Sequence, residues 1–393
     1  MLSEKVLSYM ERSSWIRKMF EEGRKLKELY GEEKVFDLTL GNPDLPAPSC
    51  VRNALKTFAE DYKPELHRYM PNAGFSFTRE KMAEKISKEQ GITVSPEEIV
   101  MTCGAAGGLN VVFKSILNPG EKVVFPSPFF VEYVFYVENH GGIPCPVPTK
   151  HDFSLDFEAL EKAIDNKTKA ILINSPNNPT GQIYTEEELE TLAGLLTEKS
   201  REIGRPVFLI SDEPYRNLVF DNYRVPSIFK YYPNSIVVYS FSKELSLAGE
   251  RIGFIAVHPE IAEKKLLLAA LIMCNRILGF VNGPALAQRL VERCAFEKVE
   301  VEIYQKRRDV LCNILEEAGL EFVKPKGGFF VFPKTPIDDL EFCKILKDEL
   351  ILAVPGRGFG LKNHIRLSLC VPEKVLLKMR SAFIKACKKA KNV

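Results

Sequence analysis

The sequence predicts an α/β fold in which a mostly parallel sheet lies between two layers of helices. Short apolar runs rich in β-branched residues recur between residues 34 and 257, and several are continuous rather than alternating. Continuous apolar runs are expected of strands that are buried on both faces. Stretches with helical character separate most of these runs, which indicates alternating strands and helices.

The predicted elements begin with a helix and continue as strands and helices in turn. Residues 14–30 predict an amphipathic helix. Its apolar side is formed by Trp15, Met19, Leu26 and Leu29. The predicted strands lie at 34–40, 99–102, 122–125, 170–173, 207–210, 236–239 and 252–257. Residues 157–164 and 186–199 predict helices between them, and a long charged helix at 300–318 marks a change of pattern before a last apolar run at 365–369.

Composition is that of an ordinary globular protein. The 393 residues are 45% hydrophobic and 27% charged, which predicts a sizeable core. A net charge of +2, with no basic block interleaved with aromatic residues, argues against nucleic acid as a partner. Nine scattered cysteines without a Cys-x-x-Cys pair argue against a disulfide framework and against a metal site. Because no apolar signal core or membrane-length run is visible, we expect a cytoplasmic protein without a membrane partner.

A lysine follows the predicted strand at 236–239 in a distinctive setting. Ser240 and Ser242 precede Lys243, and Arg251 follows it by eight residues. A phosphorylated aldehyde cofactor needs an amine for a Schiff base, and hydroxyl and guanidinium groups for its phosphate. An isolated lysine is usually an exposed surface residue, so the surrounding pattern carries the prediction of a cofactor site.

Other chemistry-bearing residues follow the ends of other predicted strands. Asp212 follows the strand at 207–210, and Asn178 follows the strand at 170–173. A run of small residues that includes Ala105 and Ala106 follows the strand at 99–102. Ligands of α/β sheets lie beyond the carboxyl ends of the strands. These positions therefore predict one shared ligand site.

The motifs resemble those of the class I and II aminotransferases, which are pyridoxal 5′-phosphate (PLP) enzymes of fold type I. Ser-x-Ser-Lys followed by Ala-Gly-x-Arg-Ile-Gly is similar to their cofactor-lysine signature, and the resemblance extends from about residue 40 to 369. It implies a large domain (41–300) with a mostly parallel seven-stranded sheet, and a smaller α/β domain (1–40 and 301–393). It also implies transfer of an amino group between an L-amino acid and a 2-oxo acid by a homodimer.

The resemblance assigns the central catalytic roles. Lys243 forms the Schiff base with PLP and carries the α-proton as general acid and base. Asp212 pairs with the pyridine nitrogen, and Tyr215 hydrogen-bonds the phenolic oxygen of the cofactor. Asn178 reaches the same oxygen and the substrate carboxylate.

The resemblance also implies how the phosphate is held. The backbone amides of Ala105 and Ala106 form a cup that Ser240, Ser242 and Arg251 complete. Some family members place a hydroxyl or lysine side chain in this cup, whereas this chain has alanines there.

Further residues are assigned to the ring and the substrate. Phe130 stacks on the pyridine, although Phe129 or Phe130 could equally belong to the core. Tyr69 reaches the phosphate from the other subunit, so the active site would exist only in a dimer. Arg366 clamps the substrate α-carboxylate, and the backbone of Gly41 faces the substrate.

Substrate selection is the most open of these expectations. Ala106 occupies the position at which some aspartate-using relatives place a lysine for the distal carboxylate. Arg276 lies about where other relatives place a selector arginine from the second subunit, and a helix-end or interface arginine is an equally good interpretation. A dicarboxylate donor follows from the first interpretation and a neutral side-chain pocket from the second.

Two other functions share parts of this pattern. Carbon–sulfur β-lyases use the same cofactor residues on the same fold. A PLP-sensing transcription regulator would need a DNA-binding module, which the roughly 35 residues ahead of the core do not supply. An aminotransferase is therefore the predicted function.

Overall fold

The computed structural model describes residues 2–12 and 14–392, without side chains for residues 11–21. Its twelve strands are β1 (Phe36–Asp37), β2 (Ile99–Thr102), β3 (Lys122–Ser127), β4 (Ile143–Pro148), β5 (Thr168–Asn174), β6 (Phe208–Asp212), β7 (Ser235–Ser240), β8 (Gly253–Val257), β9 (Phe330–Val331), β10 (Ile351–Leu352), β11 (Val354–Pro355) and β12 (Ile365–Ser368). Within the described residues the thirteen α-helices are α1 (Glu4–Arg12), α2 (Ser14–Tyr30), α3 (Ser49–Glu60), α4 (Ser76–Gln90), α5 (Gly104–Ile116), α6 (Glu132–Asn139), α7 (Phe157–Ala163), α8 (Glu186–Ile203), α9 (Lys264–Ile277), α10 (Ala285–Cys294), α11 (Val301–Glu317), α12 (Asp339–Asp348) and α13 (Glu373–Lys391).

Seven strands form the central sheet, in the order β2-β8-β7-β6-β5-β3-β4. Neighbours pair in parallel except at β8, which is antiparallel to both β2 and β7. The register places Asn174, at the end of β5, beside Asp212 at the end of β6. Asp212 in turn lies beside Val238, two residues before Ser240 at the end of β7. The carboxyl ends of three neighbouring strands therefore bring the predicted site residues to one edge, and the predicted fold class is confirmed.

The strand predicted at 34–40 forms outside the central sheet, and one strand of the central sheet was missed. The segment 34–40 forms only β1, which pairs in parallel with β10 outside the central sheet. The seventh central strand is β4, whose sequence Ile-Pro-Cys-Pro-Val-Pro contains three prolines. Proline lacks the N–H that a central strand needs, but it is tolerated at an edge, which is where β4 lies. The remaining predicted strands and helices agree with the structure to within a few residues.

Apolar side chains cover both faces of the central sheet. Ile171 and Leu209 point to the face that α4 and α8 cover. Leu172 and Ile210, the next residue in each strand, point to the face that α5 and α9 cover. Because both faces are buried, the strands are apolar throughout, which explains the continuous runs in the sequence.

The C-terminal segment builds a separate apolar core. Helices α11, α12 and α13 pack against the β11-β12-β9 sheet and the β1-β10 pair, and Leu38 from the N-terminal segment joins them. Helix α2 forms where predicted, but Leu29 on its apolar side is 75% exposed, and Trp15 and Met19 lie outside the described side chains. Among the described residues, no helix combines the length and apolar character that a membrane span requires.

Candidate active site

A cavity of about 330 Å³ lies at the carboxyl ends of β5, β6 and β7. Most of the site residues that the sequence predicts line it. These residues are Gly41, Ala105, Ala106, Phe130, Asn178, Asp212, Tyr215, Ser240, Ser242, Lys243, Arg251 and Arg366. The fold therefore collects residues that are more than 300 positions apart in the chain into one small volume.

Asp212 presents one unpaired carboxylate oxygen in this cavity. Its Oδ2 accepts a 2.6 Å hydrogen bond from the hydroxyl of Tyr133, which is itself fully buried. Its Oδ1 is buried and has no hydrogen-bond partner within the described part of the chain. Burial raises the pKa of Asp212 to about 7, against the lowering effect of the Tyr133 hydrogen bond. A cationic N–H placed at Oδ1 would satisfy the orphaned oxygen and favour the ionised carboxylate.

Lys243 is a half-buried amine that follows β7. Its Nζ donates a 2.8 Å hydrogen bond to the backbone oxygen of Gly41. Burial, together with the positive charges of Arg366 and Arg251, lowers the pKa of Lys243 to about 8. About a tenth of the amine is therefore neutral, and hence nucleophilic, at pH 7, which is far more than for an ordinary lysine.

Gly41 allows the close approach of this segment to the C-terminal sheet. A Cβ atom at Gly41 would lie 2.3 Å from Cζ of Phe330, which is closer than van der Waals contact permits. Glycine is therefore required for packing at this position, and it leaves the backbone oxygen free to meet Lys243.

Arg366 is a buried guanidinium on β12. Its Nη1 donates to Oδ1 of Asn178 at 3.0 Å, and its Nη2 donates to the backbone oxygen of Thr39 at 2.7 Å. The ring of Phe330 lies 4.0 Å from the guanidinium carbon and fixes its plane. Burial lowers the pKa of Arg366 to about 10, and its Nε has no partner within the described chain. A carboxylate in the cavity would supply the missing acceptor and counter-charge.

The start of α5 and the segment after β7 form a cradle for an anion. The backbone N–H groups in the first turn of a helix have no partner within the helix, and here that turn contains Ala105 and Ala106. Gly104 has a φ of 69°, and a Cβ atom there would lie 3.0 Å from Nη2 of Arg251. The hydroxyl of Ser240 donates to that of Ser242 at 2.8 Å on the same side of the cavity. The cradle thus offers backbone amides, the hydroxyls of Ser240 and Ser242, and the guanidinium of Arg251. The start of α5 carries alanines at the positions where the resemblance allows a lysine or hydroxyl side chain.

Phe130, which the resemblance favoured for the cofactor ring, and its neighbour Phe129 have different positions. Phe130 lines the cavity and packs edge-on against Tyr133, with ring centroids 5.5 Å apart. Phe129 is buried against Phe125 and does not line the cavity. Tyr215 lines the cavity and is buried, and burial raises the pKa of its hydroxyl well above the ordinary value.

Tyr69 and Arg276 are the predicted residues that do not line the cavity. Tyr69 is 89% exposed, and Arg276 is exposed near the end of α9. Both were predicted to act on the site of a second subunit. A single chain does not test that role, so both stay predictions.

Several lining residues were not predicted from the sequence. They are Leu109, Glu132, Tyr133, Tyr136, Asn174, Pro214, Ala248 and Phe330. A signal for Tyr133 was present, because a residue three positions after Phe130 shares its face if the segment is helical. Asn174 ends β5 and donates to the backbone oxygen of Asp212 at 2.9 Å, so it fixes the neighbouring strand end.

A buried network of charges lies behind the cavity. Glu213 and Glu244 directly follow the carboxylate and the lysine of the site, and both are buried. Arg216 contacts Glu213 at 2.9 Å, and Lys85 lies 3.4 Å from Glu244. Glu89 bridges the two cations, at 3.0 Å from Lys85 and 3.7 Å from Arg216. The two turns that carry the reactive groups are therefore linked through one set of buried ion pairs.

A larger groove, of about 890 Å³, lies between β4 and the C-terminal segment. Phe153, Phe332 and Leu361 line it, and its charged residues are at the rim. It lacks the buried, partly unsatisfied polar groups of the smaller cavity. Chemistry rather than size therefore identifies the smaller cavity as the candidate active site.

The residues of the cavity fit a phosphorylated pyridine aldehyde. The orphaned Oδ1 of Asp212 suits a ring N–H, the cradle beside Arg251 suits a phosphate, and Lys243 supplies the amine. The unpaired Nε of Arg366 remains for the carboxylate of a second, smaller molecule. The donor set is thus complete for an amino acid bound next to this cofactor.

Comparisons with known proteins agree with this chemistry. The family model described as aminotransferase class I and II matches residues 33–383. Aromatic-amino-acid aminotransferase 2 of Thermococcus litoralis is 32% identical over 398 residues, which cover 98% of this chain and 98% of that protein. A probable aspartate/prephenate aminotransferase of Thermus aquaticus is 34% identical and covers 89% of this chain and 90% of its own length.

Solved structures are similar over nearly the whole chain. An aminotransferase of Eubacterium rectale superimposes with a TM-score of 0.95 at 38% identity, covering 99% of both chains. The aspartate aminotransferase of Thermus thermophilus with maleate has a TM-score of 0.85 at 30% identity, covering 95% of this chain and 96% of its own.

Proposed function

The chain belongs to the class I and II aminotransferases, and we propose that its PLP-dependent amino group transfer takes place in the cavity around Lys243. One observation carries this proposal. The cavity holds a half-buried amine, a buried carboxylate with one orphaned oxygen and a buried guanidinium with one orphaned nitrogen. These three groups match the aldehyde, the ring nitrogen and the substrate carboxylate that the reaction brings together.

Lys243 is proposed to attach the cofactor and to carry the α-proton of the substrate. When bound, PLP supplies an aldehyde that takes the amino group and a ring that accepts the electron pair released at the α-carbon. With its pKa lowered to about 8, the Nζ amine of Lys243 accepts a proton and returns it near neutral pH. The hydrogen bond to Gly41 shows that Nζ is directed into the cavity.

Arg366 is proposed to bind the substrate α-carboxylate. Its plane is fixed by Asn178, Thr39 and Phe330, so little side-chain entropy is lost on binding. A fixed carboxylate orients the α-carbon and presents its hydrogen to Lys243.

Asp212 is proposed to hold the proton on the ring nitrogen. Its pKa of about 7 in the free chain reflects burial without a counter-charge. A ring N–H at Oδ1 supplies that charge and keeps the carboxylate ionised. Tyr215 and Asn178 are proposed to contact the phenolic oxygen, and Phe130 to cover one face of the ring.

We also propose that the enzyme is a homodimer with shared sites and two domains. The dimer rests on Tyr69, whose ring is exposed in the single chain. The domain division at 41–300, with 1–40 joining 301–393, is supported by the C-terminal core that Leu38 joins. A cytoplasmic location is proposed because all nine cysteines are unpaired thiols.

Amino exchange tests the proposed function and separates it from β-elimination. The purified protein loaded with PLP should convert more than one equivalent of an L-amino acid per site only when a 2-oxo acid is supplied. The names of the relatives make aspartate and aromatic amino acids the first donors to test. Release of ammonia and pyruvate from cysteine-like substrates without any acceptor would instead indicate a lyase.

Covalent mapping tests the site. Borohydride reduction of the loaded enzyme followed by peptide mass mapping should place a pyridoxyl group on Lys243. The Lys243→Ala variant should stay folded but lose turnover, whereas a label on any other lysine would overturn the assignment.

A further inference from the structure

Glu132 is a carboxylate in the catalytic cavity to which none of the roles above applies. It begins α6, two residues after Phe130, and lines the cavity together with Tyr136 and Leu109. The side chain is half-buried, and burial raises the pKa of its carboxyl group. Within the described part of the chain, no cation or hydrogen-bond donor pairs with this carboxylate, whose pKa is shifted by burial alone.

The cations of the cavity are already assigned. Arg251 lies at the cradle for the phosphate, Arg366 faces the α-carboxylate, and Lys243 is the reacting amine. The described lining of the cavity holds no further lysine or arginine. A substrate with a second carboxylate would therefore meet the negative charge of Glu132 without a free cation from the same chain.

We propose that Glu132 determines substrate specificity, by selecting amino donors with neutral, hydrogen-bond-donating or cationic side chains over dicarboxylates. The proposal rests on the transamination proposed above. A cavity of about 330 Å³ has the volume of a sphere about 9 Å across, so we take about 9 Å as the separation between Glu132 and a distal carboxylate held in the cavity. At the effective dielectric constant of a partly buried site, like charges at about 9 Å weaken binding by about 10-fold or more.

This proposal and the sequence-based hypothesis for Arg276 predict opposite preferences. An arginine contributed by a second subunit would favour aspartate and glutamate as donors. A carboxylate that belongs to the cavity itself disfavours them. The same series of donors therefore decides between the two residues.

The test is the specificity constant kcat/KM of single-turnover half-reactions of the PLP-loaded enzyme with aspartate, glutamate, alanine, leucine, glutamine and ornithine. Wild type should prefer the neutral and cationic donors. Glu132→Gln, which keeps the shape and removes the charge, should raise kcat/KM for the two dicarboxylates by about 10-fold. The kcat/KM of this variant for alanine and leucine should stay within about 2-fold of wild type, and its kcat/KM for ornithine should fall.

Binding without reaction provides a second readout. The dissociation constant of maleate, a dicarboxylate that cannot donate an amino group, should decrease by about 10-fold in Glu132→Gln, whereas that of acetate should be unchanged. Glu138→Gln is the matched control, because it removes the same charge from α6 at a residue that does not line the cavity. It should leave both constants at their wild-type values.

Three results would overturn the assignment of Glu132. The first is that Glu132→Gln leaves both kcat/KM for the two dicarboxylates and the dissociation constant of maleate unchanged. The second is that kcat/KM changes equally for all donors. The third is a wild-type preference for aspartate that Arg276→Ala abolishes. Failure of every donor with every 2-oxo acid would instead contradict the proposed transamination, so the two failures are distinguishable.

Discussion

Tyr133 and Asp212 form a 2.6 Å hydrogen bond in which the phenol donates to one oxygen of the carboxylate. Both side chains are buried, and the second oxygen of Asp212 is left without a partner. The bond therefore orients the carboxylate, so that its free oxygen is available to the cavity. It also stabilises the ionised form that burial disfavours.

Removing this hydroxyl should weaken the site through Asp212. In Tyr133→Phe the pKa of Asp212 should rise further above its already raised value of about 7, because the hydrogen bond lowers it. We expect the affinity for PLP to fall by about 10-fold, as a charge-assisted hydrogen bond is lost. Equilibrium titration with PLP and carboxyl NMR of the apoprotein measure the two effects. Tyr184→Phe removes a buried phenol outside the cavity and should change neither quantity.

The pH dependence of acylation should report the lowered pKa of Lys243. In the apoprotein only the neutral amine reacts with acetic anhydride, so labelling at Lys243 should rise about 10-fold per pH unit up to about pH 8. Above that value it should level off, whereas an ordinary lysine continues to gain reactivity to about pH 10.4. Peptide mass mapping at each pH gives the rate for this one residue. A rate that still climbs steeply between pH 9 and 10 would contradict the lowered pKa.

Mixing two inactive variants should test whether the sites are shared. Tyr69→Ala and Lys243→Ala each damage the site, and in a shared-site homodimer the two lesions fall in the same site of a hybrid. The other site of that hybrid then carries neither lesion, so up to about half of the wild-type activity per hybrid dimer should return. Differently tagged subunits allow the hybrid to be isolated before the assay. Inactive hybrids, or an active monomer in sedimentation, would refute a shared site.

The ion network behind the cavity should matter for stability. Lys85→Met removes the buried cation that contacts Glu244 and one of the two cations that contact Glu89, and breaking such a pair costs about 3–5 kcal/mol in free energy of unfolding. Lys88→Met, on the same helix, removes an exposed pair with Glu84, which solvent screens, and should lower the free energy of unfolding far less. Denaturant unfolding of the apoproteins measures both values. If both variants lost the same free energy of unfolding, the buried pairs of Lys85 would contribute no more to stability than the exposed pair of Lys88.

Strand positions were predictable wherever burial on both faces made the sequence uniformly apolar. The segments that became β2, β5, β6 and β7 are of this kind, and each was located to within about two residues. β4 was missed because its three prolines suit only an edge, and the edge position itself is a property of the assembled sheet. The segment at 34–40 has the composition of a strand, but its pairing partner β10 lies more than 300 residues away.

The residues of the cavity were largely predictable because they follow strand ends, which parallel pairing brings to one edge. Phe130 was preferred to Phe129 on the resemblance alone, because periodicity does not give the direction of the chain between β3 and α6. Tyr133 and Glu132 were missed because a short helix of eight residues has too few turns to establish a face. Roles that need a second subunit, those of Tyr69 and Arg276, lie beyond what one chain displays.

The contributions of Gly41 and Arg366 to the same cavity have a consequence for biosynthesis. Arg366 hydrogen-bonds the backbone of Thr39, so this part of the site forms only after more than 300 further residues have been synthesised. These two segments therefore cannot meet until β12 has been made. The sheet strands from β2 to β8 have all been made by then and are able to pair earlier. Nascent chains that stop before Arg366 therefore contain Lys243 and the anion cradle without the guanidinium of β12.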